Sequence, residues 1–263
     1  MPAPAFLGPC RAVIALVASS RAQGARGGTN PLLSLLKLCL ALLLVAFATG
    51  TAAAQVAASV GIDSDYRLRG YSLSGGDPAL SAQVSYDDPS GLYFGLSALT
   101  KLGGNTRFLG VIGNAGYSKR IGKRLTIDTG LLRSQIRGAV PGALGFNYTE
   151  VYAGAYVGPV TARLYYSPDY RTAGQSTLYG EVEAGFEPIS KWRVSGHVGV
   201  LKYLKSNTNY RVGDTLGDWR ISVAREFGKF EAHMSLSRNN PNNLYAYRSH
   251  PSVAVTAGAS LSF

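Results

Sequence analysis

His233 and Ser235 lie two residues apart, so in an extended chain they share a face, a spacing that could seat a general base beside a nucleophile. Glu181 and Glu183 have the same spacing, and Arg163 and Arg193 fall on the segments before and after them. Paired carboxylates of this kind can divide acid and base work or bind Ca²⁺. His197 accompanies Ser195 and Arg193 but has no second His or Cys nearby, so it makes a poor metal ligand. Each group also has a plainer reading, as polar side chains on the wet face of a strand. The elements that carry them must decide.

Those elements alternate. Phe230, Ala232, Met234 and Leu236 take the parity opposite to His233 and Ser235. From Gln55 onward no helical period persists, whereas period-2 segments of about ten residues recur between turn signals. Val56, Ala58, Val60, Ile62, Tyr66 and Leu68 share one face of the first, which is expected to run through Leu68, with Asp63, Asp65, Arg67 and Arg69 on the other. The last segment sets Val253, Val255, Ala257, Ala259, Leu261 and Phe263 against Ser and Gly and ends on an aromatic residue, which resembles the assembly signal of bacterial outer-membrane barrels. Counted this way, the chain predicts an all-β transmembrane antiparallel up-and-down barrel of about twelve strands, each long enough to cross hydrocarbon at a tilt.

Connection lengths agree with one orientation. Asp88–Ser90, Lys119–Arg124, Gly158–Pro159, Glu187–Lys191 and Phe227–Lys229 are short, as periplasmic turns are. The connections around Ser72, Gly104, Gly138, Ala173, Asn209 and Asn242 are mostly longer and richer in Gly, Asn, Ser and basic residues. Tyr86, Tyr117, Phe186, Trp192, Phe230 and Phe263 then fall at inner strand ends, and Tyr66, Tyr166 and Trp219 near outer ends, as two interfacial girdles. A soluble barrel or sandwich would place the oily face inward, but these faces are rich in Ala and Gly and would fill a core poorly.

The chain has 263 residues, 26 Lys and Arg against 15 Asp and Glu, and two cysteines. The apolar run Leu32–Phe47 leads into Ala52, Ala53 and Ala54, which reads as a secretory signal; residues 1–54 are expected to be an N-terminal extension and cleaved leader, and 55–263 the barrel. Cys10 and Cys39 would leave with the leader, excluding disulfides and thiol chemistry from the mature chain.

The stretch Ser64–Gly70 followed by Ser72, Gly76, Asp77, Pro78 and Ala79 resembles the opening of the proteobacterial TorF family of porins. Asn147, Tyr148, Glu150, Tyr152, Ala153 and Gly154, and later Tyr165–Tyr170, are similar as well. The resemblance implies an outer-membrane porin without catalytic residues.

Charged side chains avoid hydrocarbon, so Asp63, Asp65, Arg67, Asp128, Arg163, Glu181, Glu183, Arg193, His197, Arg220, Glu231 and His233 are expected to line a pore. Basic outer connections, with Lys101, Arg107, Arg137, Arg171, Lys202, Lys205, Arg211, Arg238 and Arg248, suit lipopolysaccharide phosphates or a weak preference for anionic solutes. The expectation is a bacterial outer-membrane channel for passive diffusion of small hydrophilic solutes, with no turnover, cofactor or nucleic-acid partner. The expected partners are outer-membrane lipid, lipopolysaccharide and, through Phe263, the barrel assembly machinery. The alternatives are a closed structural or adhesive barrel and an outer-membrane lipid-modifying enzyme.

Overall fold

The computed structural model describes residues 55–104, 106–138, 146–171, 173–205, 215–239 and 253–263. The expected leader, Cys10 and Cys39, and the connections around Asn209 and Asn242 with Arg211 and Arg248 lie outside the described residues. The strands are β1 (Gln55–Asp63), β2 (Arg67–Leu68), β3 (Tyr71–Ser72), β4 (Ala79–Asp87), β5 (Leu92–Lys101), β6 (Arg107–Ile121), β7 (Leu125–Ile136), β8 (Phe146–Val157), β9 (Val160–Ser167), β10 (Ser176–Ile189), β11 (Trp192–Lys205), β12 (Thr215–Phe227), β13 (Phe230–Asn239) and β14 (Val253–Ser262). All except β2 and β3 join one closed antiparallel barrel in which sequential wall strands are neighbours and β14 pairs back onto β1. The twelve-stranded all-β barrel is therefore as the alternation predicts. No helix among the described residues is long and apolar enough to cross a membrane, which says nothing of a barrel.

Alternation fixes which side chain faces where. Leu131, Val151, Leu164, Val182, Val198, Ile221, Met234 and Val255 stand exposed on the outside of the wall, and their neighbours one residue away point in. This outer surface is apolar around the barrel, an arrangement stable only against a hydrocarbon solvent. Tyr117, Phe186, Trp192, Phe230, Phe263 and Tyr166 are also exposed outward. Arg225 lies over the Trp192 and Phe227 rings, with its guanidinium 5.1 and 4.8 Å from their centroids, at the end that carries the short turns.

Three of those turns have two residues, and two of the three begin on a glycine with positive φ, Gly158 at 58° and Gly228 at 70°. This conformation follows the twist of the flanking strands, and glycine adopts it without steric cost. In the β4–β5 turn, hydrogen bonds from Ser90 hold the half-buried Asp88 carboxyl below the usual carboxylate range.

The closing seam is short. β1 meets β14 only through Ser59–Asp63 and Gly258–Ser262, whereas β1 meets β4 along its whole length. The Phe263 amide adds a bond to the Ala58 carbonyl (2.8 Å), and His233 Nε2 reaches past β14 to Asp63 Oδ1 (2.8 Å), tying β13 to β1.

One expectation is corrected. The first wall strand does not run through Leu68: it stops at Asp63, and residues 64–78 turn into the barrel. Ser64 makes the last bonds to the wall, its amide to the Ala257 carbonyl (2.8 Å) and its hydroxyl from the Ala257 amide (3.0 Å). Arg69 and Gly70, with φ of 50° and 74°, then form the turn of the small β2–β3 hairpin. Asp65 and Arg67 consequently leave the wall. Asp65 accepts Arg67 Nε (2.7 Å) and the hydroxyls of Ser72 and Ser74, while Arg67 Nη1 donates to the Gly70 carbonyl (2.8 Å). Tyr66 leaves the outer girdle too, packing with Leu68 and Ile112 against a buried cluster of Leu73, Leu99, Leu109 and Ile136. Leu73 thus anchors the hairpin to β5, β6 and β7 from inside, a burial worth roughly 2 kcal/mol.

Candidate functional site in the barrel lumen

The inward parity of β5 and β8–β11 is rich in tyrosine. Tyr93, Tyr148, Tyr152, Tyr165, Tyr170, Tyr179 and Tyr203, with Leu201 and Leu216, form one buried cluster inside the barrel. Glycines make room for it. A β-carbon on Gly116 would strike the Tyr93 ring, one on Gly130 the Tyr152 ring, and one on Gly199 the Tyr179 ring. The wall is thinned at the strand beside each ring, so the aromatic side chain lies flat over backbone.

Two charge centres are sealed in this aromatic lining. At the first, Asp128 Oδ2 accepts the hydroxyls of Tyr93 and Tyr156 (both 3.0 Å) and Arg163 Nη2 (3.3 Å). A donor chain runs toward it: Asn114 Nδ2 donates to the Tyr152 hydroxyl (2.9 Å), which lies 2.6 Å from the Tyr93 hydroxyl. Asp128 is 1% exposed, and it lines a cavity of about 170 Å³ with Asp87, Asp88, Ser118, Tyr156 and Arg163 at the inner rim. At the second, Arg69 at the tip of the hairpin binds Glu150 of β8 through two parallel bonds, Nη1–Oε1 at 2.8 Å and Nη2–Oε2 at 2.7 Å. Its guanidinium stacks 3.9 Å from the Tyr179 centroid and 5.1 Å from that of Tyr165. Glu150 is fully buried. Bidentate geometry in a low-dielectric setting offsets the desolvation of both charges.

The opposite side is wetter. Arg193 pairs with Glu231 and, at 3.6 Å, with Glu226; Arg220 lies 3.6 Å from Glu183; and His233 bonds to Asp63. These side chains keep 21–48% of their surface exposed. Between the two sides, His197 Nε2 bonds to Asp218 Oδ1 (2.9 Å), Tyr179 donates to Asp218 Oδ2 (3.2 Å), and Tyr165 donates to Glu181 (2.9 Å).

Of the residues singled out from sequence, Asp63, Asp128, Arg163, Glu181, Glu183, Arg193, His197, Arg220, Glu231 and His233 point to the barrel interior from wall strands, whereas Asp65 and Arg67 lie in the infolded hairpin. His233 and Ser235 do share a face, but His233 bonds to Asp63 and Ser235 to the Ser222 hydroxyl (2.8 Å), so the structure does not bring them together as base and nucleophile. Among the described residues no three His, Cys, Asp or Glu side chains converge to hold a metal. Sequence reading missed Arg69, Glu150, Asp218 and the inward tyrosines. One signal was present, since Tyr148, Glu150 and Tyr152 share a parity and a tyrosine sharing parity with a glutamate does not face lipid.

Among solved structures, the NanC porin superposes with a TM-score of 0.51 at 10% identity, over 80% of this chain and 99% of that one. The KdgM porin follows at 0.48 and 12%, over 79% and 99%. Likeness at this identity is likeness of fold. No protein of curated function matches in sequence. A family model does match, over residues 47–255, and the chain belongs to that family, Gcw_chp, described as a bacterial protein of unknown function.

Proposed function

We propose that this chain is a porin-like channel of the bacterial outer membrane, passing small hydrophilic solutes by passive diffusion, in keeping with its resemblance to TorF porins. The observation that carries this reading is the half-exposed row of Arg193, Glu231, Glu183, Arg220 and His233 inside a barrel whose outer surface is apolar. Charges kept partly in water on the inside, and hydrocarbon-compatible side chains outside, describe a hydrated lumen across a bilayer. Residues 1–54 serve as the export segment, Phe263 as the strand-end signal for the assembly machinery, and the basic outer ends as contacts for lipopolysaccharide phosphates.

Arg107, Lys202 and Arg238 at outer strand ends favour weak anion preference at the mouth. Inside, the wet-side carboxylates of Asp63, Glu183, Glu226 and Glu231 outnumber the guanidinium groups of Arg193 and Arg220, which opposes the preference set at the mouth and keeps it weak. Planar-bilayer recording tests both statements: stepwise conductance is expected, with a small anion-directed reversal potential in a salt gradient, and cation selectivity would sink the second. A closed structural barrel is the second reading, favoured by the hairpin inside the lumen. Absence of conductance in wild type and in hairpin variants alike would select it.

A further inference from the structure

Resting on the channel reading, we infer that Glu150, Tyr165 and Tyr179 form a guanidinium-recognition site in the barrel wall, held closed by the chain's own Arg69 and open to competition from solutes that carry a guanidinium group. The three recognition residues belong to consecutive wall strands β8, β9 and β10, whereas the occupant sits on the connection between β1 and β4. The cradle has the parts such a ligand requires. Glu150 presents both carboxylate oxygens to one planar fork, at 2.8 and 2.7 Å, and Tyr179 presents its ring face at 3.9 Å. Planar bidentate pairing with aromatic stacking selects guanidinium over ammonium, which can satisfy neither geometry fully.

Arg69 reaches the cradle from an unfavourable backbone. Its φ of 50° is in the left-handed region, which costs a non-glycine residue energy that the side-chain contacts must offset. Contact with the wall beyond the cradle is close as well: a β-carbon on Gly70 would meet Asp218 of β12 and Arg238 and Asn239 of β13. The tip therefore bridges β8–β10 to β12–β13. Release of Arg69 from Glu150 detaches one end of that bridge and widens the passage, so the same contact serves as recognition site and restraint. An untethered guanidinium competes against an intramolecular one, whose effective concentration is about millimolar or above.

Conductance and thermal unfolding of the full-length chain, exported and purified in detergent, test this with guanidinium and ammonium chloride at equal ionic strength. Arg69→Ala is expected to conduct at least about twofold more than wild type. Guanidinium on the order of 10 mM, the range open to a ligand of a few heavy atoms, should raise the unfolding temperature of that variant and ammonium should not, while the widened conductance persists because the bound ion is not joined to the hairpin. Arg69→Lys keeps a cation beside Glu150 should the alanine variant fail to fold; guanidinium should raise its unfolding temperature more than ammonium does. Equal responses to the two ions in both variants would overturn the inference. The thermal readout does not depend on conduction, so a silent barrel that still discriminates the ions would remove the channel reading and leave the cradle.

Discussion

The two sides of the lumen use the same residue types to opposite ends. On β5 and β7–β10, Asp128, Glu150, Arg163 and Arg69 are sealed under tyrosine, each at 10% exposure or less. On β10–β13, Glu183, Arg193, Arg220 and Glu231 pair just as regularly but stay wet, at 22–37%. What separates them is cover: inward tyrosines lie over thinned wall on one side, and serines and small residues such as Ser195, Ser222, Ser235 and Ala224 leave room on the other. A desolvated pair is costly to break because its partner is left charged and buried, whereas a hydrated pair is worth little to stability yet is felt by every ion that passes. Charge in the first region sets the architecture of the lumen; under the proposed channel function, charge in the second sets its permeability.

Variants can pull that contrast apart. Glu150→Ala strands Arg69 and should cost about 3–5 kcal/mol of barrel stability, measured by urea or thermal unfolding in detergent. A cost below about 1 kcal/mol would show that water already reaches the cradle. Gly199→Ala should force the Tyr179 ring off the wall and lose roughly 1–3 kcal/mol, with a change in near-ultraviolet tyrosine signal; an unchanged signal would mean that the aromatic lining yields easily. Glu183→Gln on the wet side should alter stability by less than about 1 kcal/mol while shifting the reversal potential toward anions. A stability loss as large as that of Glu150→Ala would erase the distinction between the sides. Ser235→Ala, which removes only the bond to Ser222, should stay within about 0.5 kcal/mol and leave conductance unchanged.

The sequence made the outside of this protein easier to read than the inside. Alternation of Ile221, Val223 and Met234 with polar neighbours dictates a wall strand because lipid accepts one class of side chain. Parity could not tell Asp63, which stays in the wall, from Asp65 and Arg67, which do not. The apolar parity is interrupted only by Ser64 and resumes at Tyr66 and Leu68, and the departure depends on Asp65 finding Ser72 and Ser74 later in the chain. Tyrosine misled for a related reason. Tyr166 and Tyr165 are adjacent, one facing out and the other bonded to Glu181, and an amphipathic ring suits either place. The Arg69–Glu150 pair spans 81 positions, and nothing local announces it.

The brief contact between β1 and β14 has a consequence for the chain before it is finished. A closed wall has no free rim of backbone, but until those five register pairs form, two long strands each offer a row of unsatisfied amides and carbonyls to any neighbour. Because the seam is short, sequential hairpins from β4 to β13 can be complete while the molecule remains a sticky ribbon. Asp63 and His233, reaching across β14, act as a clasp at that point. Loss of the clasp should appear as slower closure and more chain diverted into aggregates, even where the finished barrel is almost as stable as before.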